Sequence, residues 1–214
     1  MDRPLCIRLP RARLLGLNAI VVAALAASVP VAFGGDPPPP RVPTTLQDFF
    51  LPGTQPDLDG MAMEPIEPSF NCQFCHGFFD PGSGQPLEAE PYRNWAGSPM
   101  AQASRDPVFF AALTIANQDA SDSGDLCIRC HAPGAWLGGR STPTDGSAFT
   151  EFVDFDGVTC HFCHRLVDPA YVPGVSPAED LPIVSDLLIQ GLLPTQPGSA
   201  QYVVDPNDVR RGPT

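Results

Sequence analysis

The sequence predicts a mostly α-helical fold with extensive loops and few long regular elements. Its 214 residues include 27 Pro and 19 Gly, which repeatedly interrupt helical and strand periodicity. The clearest helix signal is Asp106 followed by Pro107, an N-cap residue and a first-turn proline. Six cysteines in the body of the chain form three pairs of identical spacing. A Pro-rich chain of this size buries little apolar surface by itself. We therefore expect the fold to be organised around the three cysteine pairs.

The first 34 residues have the features of a secretory signal peptide. Four arginines precede an almost wholly apolar run over residues 14–31, and Ala32 and Gly34 are small residues at the positions that a signal peptidase prefers. The alternative is an uncleaved membrane anchor, because the run approaches the ~20 residues that span a bilayer. Asn18 and Pro30 within it favour cleavage. We therefore expect residues 1–34 to export the chain to the periplasm or the cell exterior.

Three further regions follow the signal. Residues 35–60 form a Pro-rich linker that begins with an extended polyproline stretch at Pro37 to Pro40. Residues 61–175 contain all three cysteine pairs and form the predicted domain. Residues 176–214 are a C-terminal extension.

Within these regions we expect short elements only. A short helix is predicted over residues 91–104, and a second from Pro107 to about Asn117. Residues 132–150, with Trp136, read as a Gly- and Ser-rich loop, and residues 154–157 as a turn. A helix start near Ser176 is soon interrupted by Pro182, and residues 201–204 suggest a short strand.

The chain is strongly acidic once the signal is set aside. Beyond residue 34 remain 23 of the 24 acidic and eight of the 12 basic residues, a net charge of −15 before any cofactor, with no Lys. Such a surface argues against nucleic-acid binding, which requires a basic footprint. It favours basic or cationic partners, or simply keeps the protein soluble.

Each cysteine pair belongs to a C-x-x-C-H motif, the attachment motif of haem c. The motifs comprise Cys72, Cys75 and His76, then Cys127, Cys130 and His131, then Cys160, Cys163 and His164. Two thiols add across the vinyl groups of the haem, and the following imidazole binds iron as the proximal ligand. Three such motifs, using three of the four histidines, predict three covalent haems c with their iron.

Zinc binding and local disulfides are the two alternative uses of these cysteines. Zinc also binds paired Cys with His, but it would pair two motifs, leave the third over and not require His after every second Cys. A disulfide within a motif would close a strained two-residue loop. Both alternatives are weaker than haem.

The segments around the motifs resemble the multihaem cytochrome c superfamily, in the branch related to the tetrahaem cytochromes of nitrogen-cycle bacteria. The resemblance rests on NWAGSPMAQASRDPVFFAAL after the first motif, SGDLCIRCHAPGAWL at the second and DFDGVTCHFCHR at the third, and it covers roughly residues 64–170. It implies a small multihaem cytochrome c fold organised around covalent haems, and an electron-transfer role outside the cytoplasm. Members of this superfamily often continue into further motifs, so the resemblance also raises the possibility of a truncated reading frame.

The distal iron ligands are open at this stage. Beyond the proximal histidines, the ligands in the predicted mature chain are His161, Met61, Met63 and Met100, so three haems cannot all be bis-His within this chain. Met100 is the best distal candidate, because the resemblance places Met or His there; its alternative is core packing beside Trp95. His161 is a weak candidate for a neighbouring haem, and we expect it to be an exposed imidazole.

The sequence therefore favours an exported electron carrier over an enzyme. We expect this carrier to exchange electrons with redox proteins. The alternative is a haem-containing subunit or fragment of an oxidoreductase that acts on a small molecule at an open-coordinated haem. No catalytic residue is assigned, and contact with a membrane is expected only through an uncleaved N-terminal anchor.

Overall fold

The computed structural model describes residues 41–60, 62–77, 90–196 and 198–212. The chain divides into two compact units, Met1–Pro39 and Pro40–Thr214, of which the first lies outside the described residues. The predicted signal, the polyproline stretch and Met61 therefore also lie outside them. Among the described residues, no helix has both the length and the apolar character needed to cross a membrane.

Pro40–Thr214 is mostly helical with long connections, as the composition predicts. The helices are α1 Phe70–His76, α2 Pro91–Ala96, α3 Pro99–Gln102, α4 Pro107–Asp119, α5 Gly124–His131, α6 Pro133–Leu137, α7 Cys160–His164 and α8 Asp180–Ile189. Single 3-10 turns cover Leu46–Phe49 and Phe152–Phe155. Strands β1 Leu166–Val167 and β2 Val203–Val204 pair antiparallel, with Leu166 opposite Val204.

Helix α4 confirms the strongest local prediction. The Asp106 side chain accepts a hydrogen bond from the Val108 amide at 2.8 Å, and Pro107 occupies the first turn, where its missing N–H costs nothing. The helix buries Phe109 and Leu113 in the main apolar core. The same core takes residues of α5 and α6, including Ile128.

The predicted single helix over residues 91–104 is wrong, because the chain breaks at Ser98. Proline restricts the residue before it to extended backbone, and Ser98 has φ −90° and ψ 159°. Pro99 then begins α3 as a separate four-residue helix. The break turns α3 towards the second and third motifs, as the contacts below show.

The prediction of a loop beginning at residue 132 is also corrected. Residues 133–137 form α6, and all five are buried, including Trp136. Trp136 packs in the apolar core and its indole N–H donates to Asp125 at 3.1 Å. The proline at its first position favours a helix start, and the burial of its apolar side chains stabilises the helix. The glycines around this segment therefore do not prevent helix formation.

Pro182 does not interrupt the C-terminal helix, contrary to expectation. It is the third residue of α8, which runs on to Ile189. A proline is accommodated there because the first turn of a helix has amides without intrahelical partners.

Segments predicted to lie outside the domain pack against it. The Gly53 amide donates to Leu192 at 2.7 Å and the Thr54 amide to Tyr202 at 2.9 Å, which ties part of the predicted linker to the C-terminal region. Strand β2 pairs with β1, directly after the third motif.

Candidate functional site: three attachment helices

Each C-x-x-C-H motif lies on its own helix, and each helix ends at the motif histidine: α1 at His76, α5 at His131 and α7 at His164. Residues at i, i+3 and i+4 share one side of a helix. Both thiols and the imidazole of each motif therefore lie on one face.

These faces are accessible. All three motif histidines are exposed, and each motif has its cysteines either half-buried or exposed. None of the six cysteines forms a disulfide. Partial burial raises the pKa of the thiols of Cys72, Cys127, Cys130 and Cys163, so these side chains are protonated thiols at neutral pH.

Ser69 holds the first and third motifs side by side. Its carbonyl accepts from the Cys72 amide at 2.9 Å, and its hydroxyl accepts from the Cys160 amide at 3.1 Å. The buried Ser69 amide donates to Asp156 at 2.7 Å, just before the third motif. The Cys72 and Cys160 side chains interact directly, and this contact contributes to the raised pKa of Cys72 after burial itself.

The second motif has an oriented histidine. The Nδ1 atom of His131 lies 3.1 Å from the Ala103 carbonyl oxygen, just beyond α3. The ring stacks on Phe109 with centroids 4.5 Å apart and an interplanar angle of 13°. Because a carbonyl oxygen only accepts, Nδ1 carries the proton, and Nε2 keeps the lone pair that a metal requires.

The third motif repeats this arrangement with a different partner. The Nδ1 atom of His164 lies 2.5 Å from the carbonyl oxygen of Arg211. Metal-bound histidines commonly donate their other ring N–H to a backbone carbonyl, which fixes the tautomer and the ring orientation. His131 and His164 thus have the Nδ1 hydrogen bond that metal-bound histidines commonly have, with Nε2 available among the described contacts.

His161 is buried, so the expectation of an exposed imidazole is wrong. Its Nδ1 accepts from the Glu67 amide at 2.6 Å, and its Nε2–H donates to Asp208 at 2.7 Å. Burial lowers the pKa of His161, partly offset by the Asp208 carboxylate. The Arg210 guanidinium, and then His161, lower the pKa of Asp208 to about 2. With both ring nitrogens in use, His161 is not available as a distal ligand in this arrangement.

Met100 lies on α3 between two of the motifs, with 48% of its surface exposed. Its carbonyl accepts from the Val158 amide at 3.0 Å, and the Trp95 indole N–H donates to the Val158 carbonyl at 2.8 Å. The chain passes under α3 at Gly157, which has φ 65° and where a Cβ would meet the Met100 carbonyl at 2.1 Å. The exposure of Met100 argues against simple core packing, whereas the half-buried Met63 does pack on the core.

Each motif face offers two thiols and one imidazole. A structural zinc site needs four converging ligands, and among the described residues no group of three or more His, Cys, Asp or Glu side chains could hold a metal ion. Haem c makes no such demand, because the porphyrin supplies four nitrogens and the protein supplies two thiols and one imidazole on a single helix. Exposed aromatic side chains on the first attachment helix, Phe70 and Phe74, offer apolar surface for a macrocycle.

Sequence reasoning missed the residues that support the motifs. Arg129, inside the second motif, is buried over the Trp136 ring at 4.2 Å and donates to the carbonyls of Leu51 and Pro52. Arg165, directly after the third motif, is fully buried and donates to the Asp205 carbonyl. The sequence signal that could have identified these arginines is their position inside or directly after a motif. The carbonyl partners of the histidines carry no signal, because any residue has a carbonyl.

Comparisons with known proteins return no relative: no family model, no curated protein and no solved structure matches this chain.

Proposed function

We propose that this chain is an exported electron-transfer protein that binds three haems c through its C-x-x-C-H motifs. One observation carries the proposal: each motif presents two thiols and an imidazole on one accessible helix face, and two of the imidazoles are already oriented through Nδ1. When bound, haem c supplies iron that changes between its ferric and ferrous states.

The chain itself contributes attachment, orientation and spacing. The six thiols are the attachment points, and His76, His131 and His164 are the proximal ligands. The carbonyls of Ala103 and Arg211 orient two of these histidines. Ser69 brings the first and third attachment helices together, which suits electron exchange between their cofactors.

The location and partners belong to the same proposal. Covalent haem attachment takes place outside the cytoplasm in bacteria, and residues 1–34 supply the predicted export signal. The charge of −15 calculated beyond residue 34 favours redox partners with basic surfaces.

A second candidate function is favoured by the loss of His161 from the distal ligands. Met63 and Met100 are then the remaining non-motif His or Met side chains in the described residues, too few for three irons. At least one iron would lack a distal ligand from these residues. An open coordination position is what a haem-containing oxidoreductase subunit would use on a small molecule.

Intact mass spectrometry tests the proposal directly. Protein produced in a host with periplasmic haem-attachment machinery should exceed the apoprotein mass by three haems. A Cys127→Ala, Cys130→Ala variant should lose one of them and keep two. Wild-type protein without added mass would contradict the proposal, while carbon monoxide binding to one reduced haem would favour the oxidoreductase alternative.

A further inference from the structure

The segment that contains Arg211 crosses the third motif and contacts its histidine through the backbone. The Arg211 amide donates to the His164 carbonyl at 2.6 Å, and the Arg211 carbonyl receives the hydrogen bond from His164 Nδ1. One residue therefore contacts both the backbone and the ring of His164.

The Arg211 side chain anchors this segment in two buried carboxylates. Its Nε and Nη2 atoms donate to Asp180 at 2.9 and 2.6 Å, and Nη2 also donates to Asp205 at 2.7 Å. The two acids are only 2% and 1% exposed. Burying two carboxylates is unfavourable without a cation between them, so the position of the guanidinium is strongly determined.

The two carboxylates come from separate elements around the third motif. Asp180 begins α8, and Asp205 follows β2, which pairs with β1 immediately after the motif. The Asp205 amide donates to the carbonyl of Arg165, the residue next to His164, at 2.9 Å. The anchor and the histidine thus belong to one hydrogen-bonded unit.

We propose that Arg211 is a positioning residue for the third haem: its guanidinium, bound to Asp180 and Asp205, holds its carbonyl on His164 Nδ1. This inference rests on the proposed function. A hydrogen bond at Nδ1 makes the imidazole a more basic ligand, which favours ferric iron and lowers the midpoint potential. Losing this bond should raise the potential of the third haem alone.

The test uses a pair of charge-neutral double variants of the full chain. Arg211→Met with Asp205→Asn removes one cation and one anion from the anchor. Arg140→Met with Asp154→Asn makes the same change at a comparably buried ion pair, whose atoms lie 2.6 Å apart and whose hydrogen bonds join residues outside the three motifs. A variant with Cys160→Ala and Cys163→Ala identifies which midpoint potential belongs to the third haem. Arg211→Lys keeps the charge but loses the planar fork.

We expect potentiometric titration to show a raised third midpoint potential in the Arg211 double variant, and an unchanged third midpoint potential in the Arg140 control. Arg211→Lys should raise the third midpoint potential by a smaller amount. This variant tests the inference if the double variant does not fold. Three haems by mass with an unmoved third potential, or an equal shift in the control, would overturn the inference and leave the proposed function standing. A wild-type chain without haem would overturn both.

Discussion

His161 and His164 lie three residues apart on the same five-residue helix, yet their surroundings are opposite. His161 is 1% exposed and both of its nitrogens are hydrogen-bonded, to Glu67 and Asp208. His164 is exposed, with Nδ1 on the Arg211 carbonyl. The same side chain is thus a structural group at one position and a candidate iron ligand at the other.

The second motif shows the same contrast between its inner residues and its histidine. The two residues between its cysteines, Ile128 and Arg129, are buried like His161 and Phe162 between those of the third. On a helix the two inner positions point away from the face that carries the cysteines and the histidine. The first motif differs, because Phe74 at its second inner position is 70% exposed and α1 has no buried residue. Buried inner residues anchor helices α5 and α7 in the fold, whereas helix α1 has no buried residue.

The largest expected effect separates the two histidines by haem ligation. His164→Gly should remove the proximal ligand of one haem, so the contribution of that haem to the electron paramagnetic resonance spectrum should change and should be restored when imidazole is added. His161→Gln should keep the wild-type spectrum. The comparison fails if the His161 variant changes the spectrum instead.

The next effect concerns stability. His161→Leu should lower the free energy of unfolding by about 1–3 kcal/mol, because the Glu67 amide loses its acceptor inside the fold. Gln73→Leu changes the equivalent inner position of the first motif, which lies on a helix without buried residues, and should stay within about 0.5 kcal/mol. Urea unfolding of both variants measures the difference. Equal costs would show that burial at the inner position is not what distinguishes the motifs.

Met100 extends the comparison, because it is an exposed candidate for a distal iron ligand. It lies close to the third motif, which contains the buried candidate His161. If its thioether binds iron, the oxidised protein should show a weak near-infrared charge-transfer band. Met100→Ala should then abolish that band and lower one midpoint potential, since an axial thioether raises it. Met63→Ala is the control, because Met63 packs on the core. An unchanged band and unchanged potentials in the Met100 variant would remove Met100 from the ligands.

The smallest expected effect is a pH dependence of stability. Burial lowers the pKa of His161 from its ordinary 6.5, so the unfolded chain binds the proton more tightly than the folded one. This contribution is fully present above pH 6.5 and is lost as the pH falls towards the folded pKa. Urea unfolding between pH 7.5 and 5 should show the decline, and His161→Gln should reduce its slope. A slope that His161→Gln leaves intact would assign the decline to other groups.

Local signals in the sequence predicted a substantial part of the fold. The Asp106 and Pro107 signal located α4, and the strand expected over residues 201–204 is present as β2 at its last two residues. The helix break at Pro99 could also have been predicted, because a proline restricts the backbone of the preceding residue, here Ser98, to extended conformations. Helix α6 was not, because its buried side chains are stabilised by a core assembled from distant segments.

The sequence by itself determined the chemistry that the chain offers, which is three sets of two thiols and one imidazole at identical spacing. The helices that put each set on one face come from the structure. Only the tertiary structure decided that the fourth histidine, His161, is not available as an iron ligand. It also decided which carbonyls orient His131 and His164. Glu67 and Asp208 enclose His161, while Ala103 and Arg211 meet His131 and His164. These partners lie 28 to 94 residues away along the chain, and three of the four contact the histidine through a backbone atom, which any residue could supply.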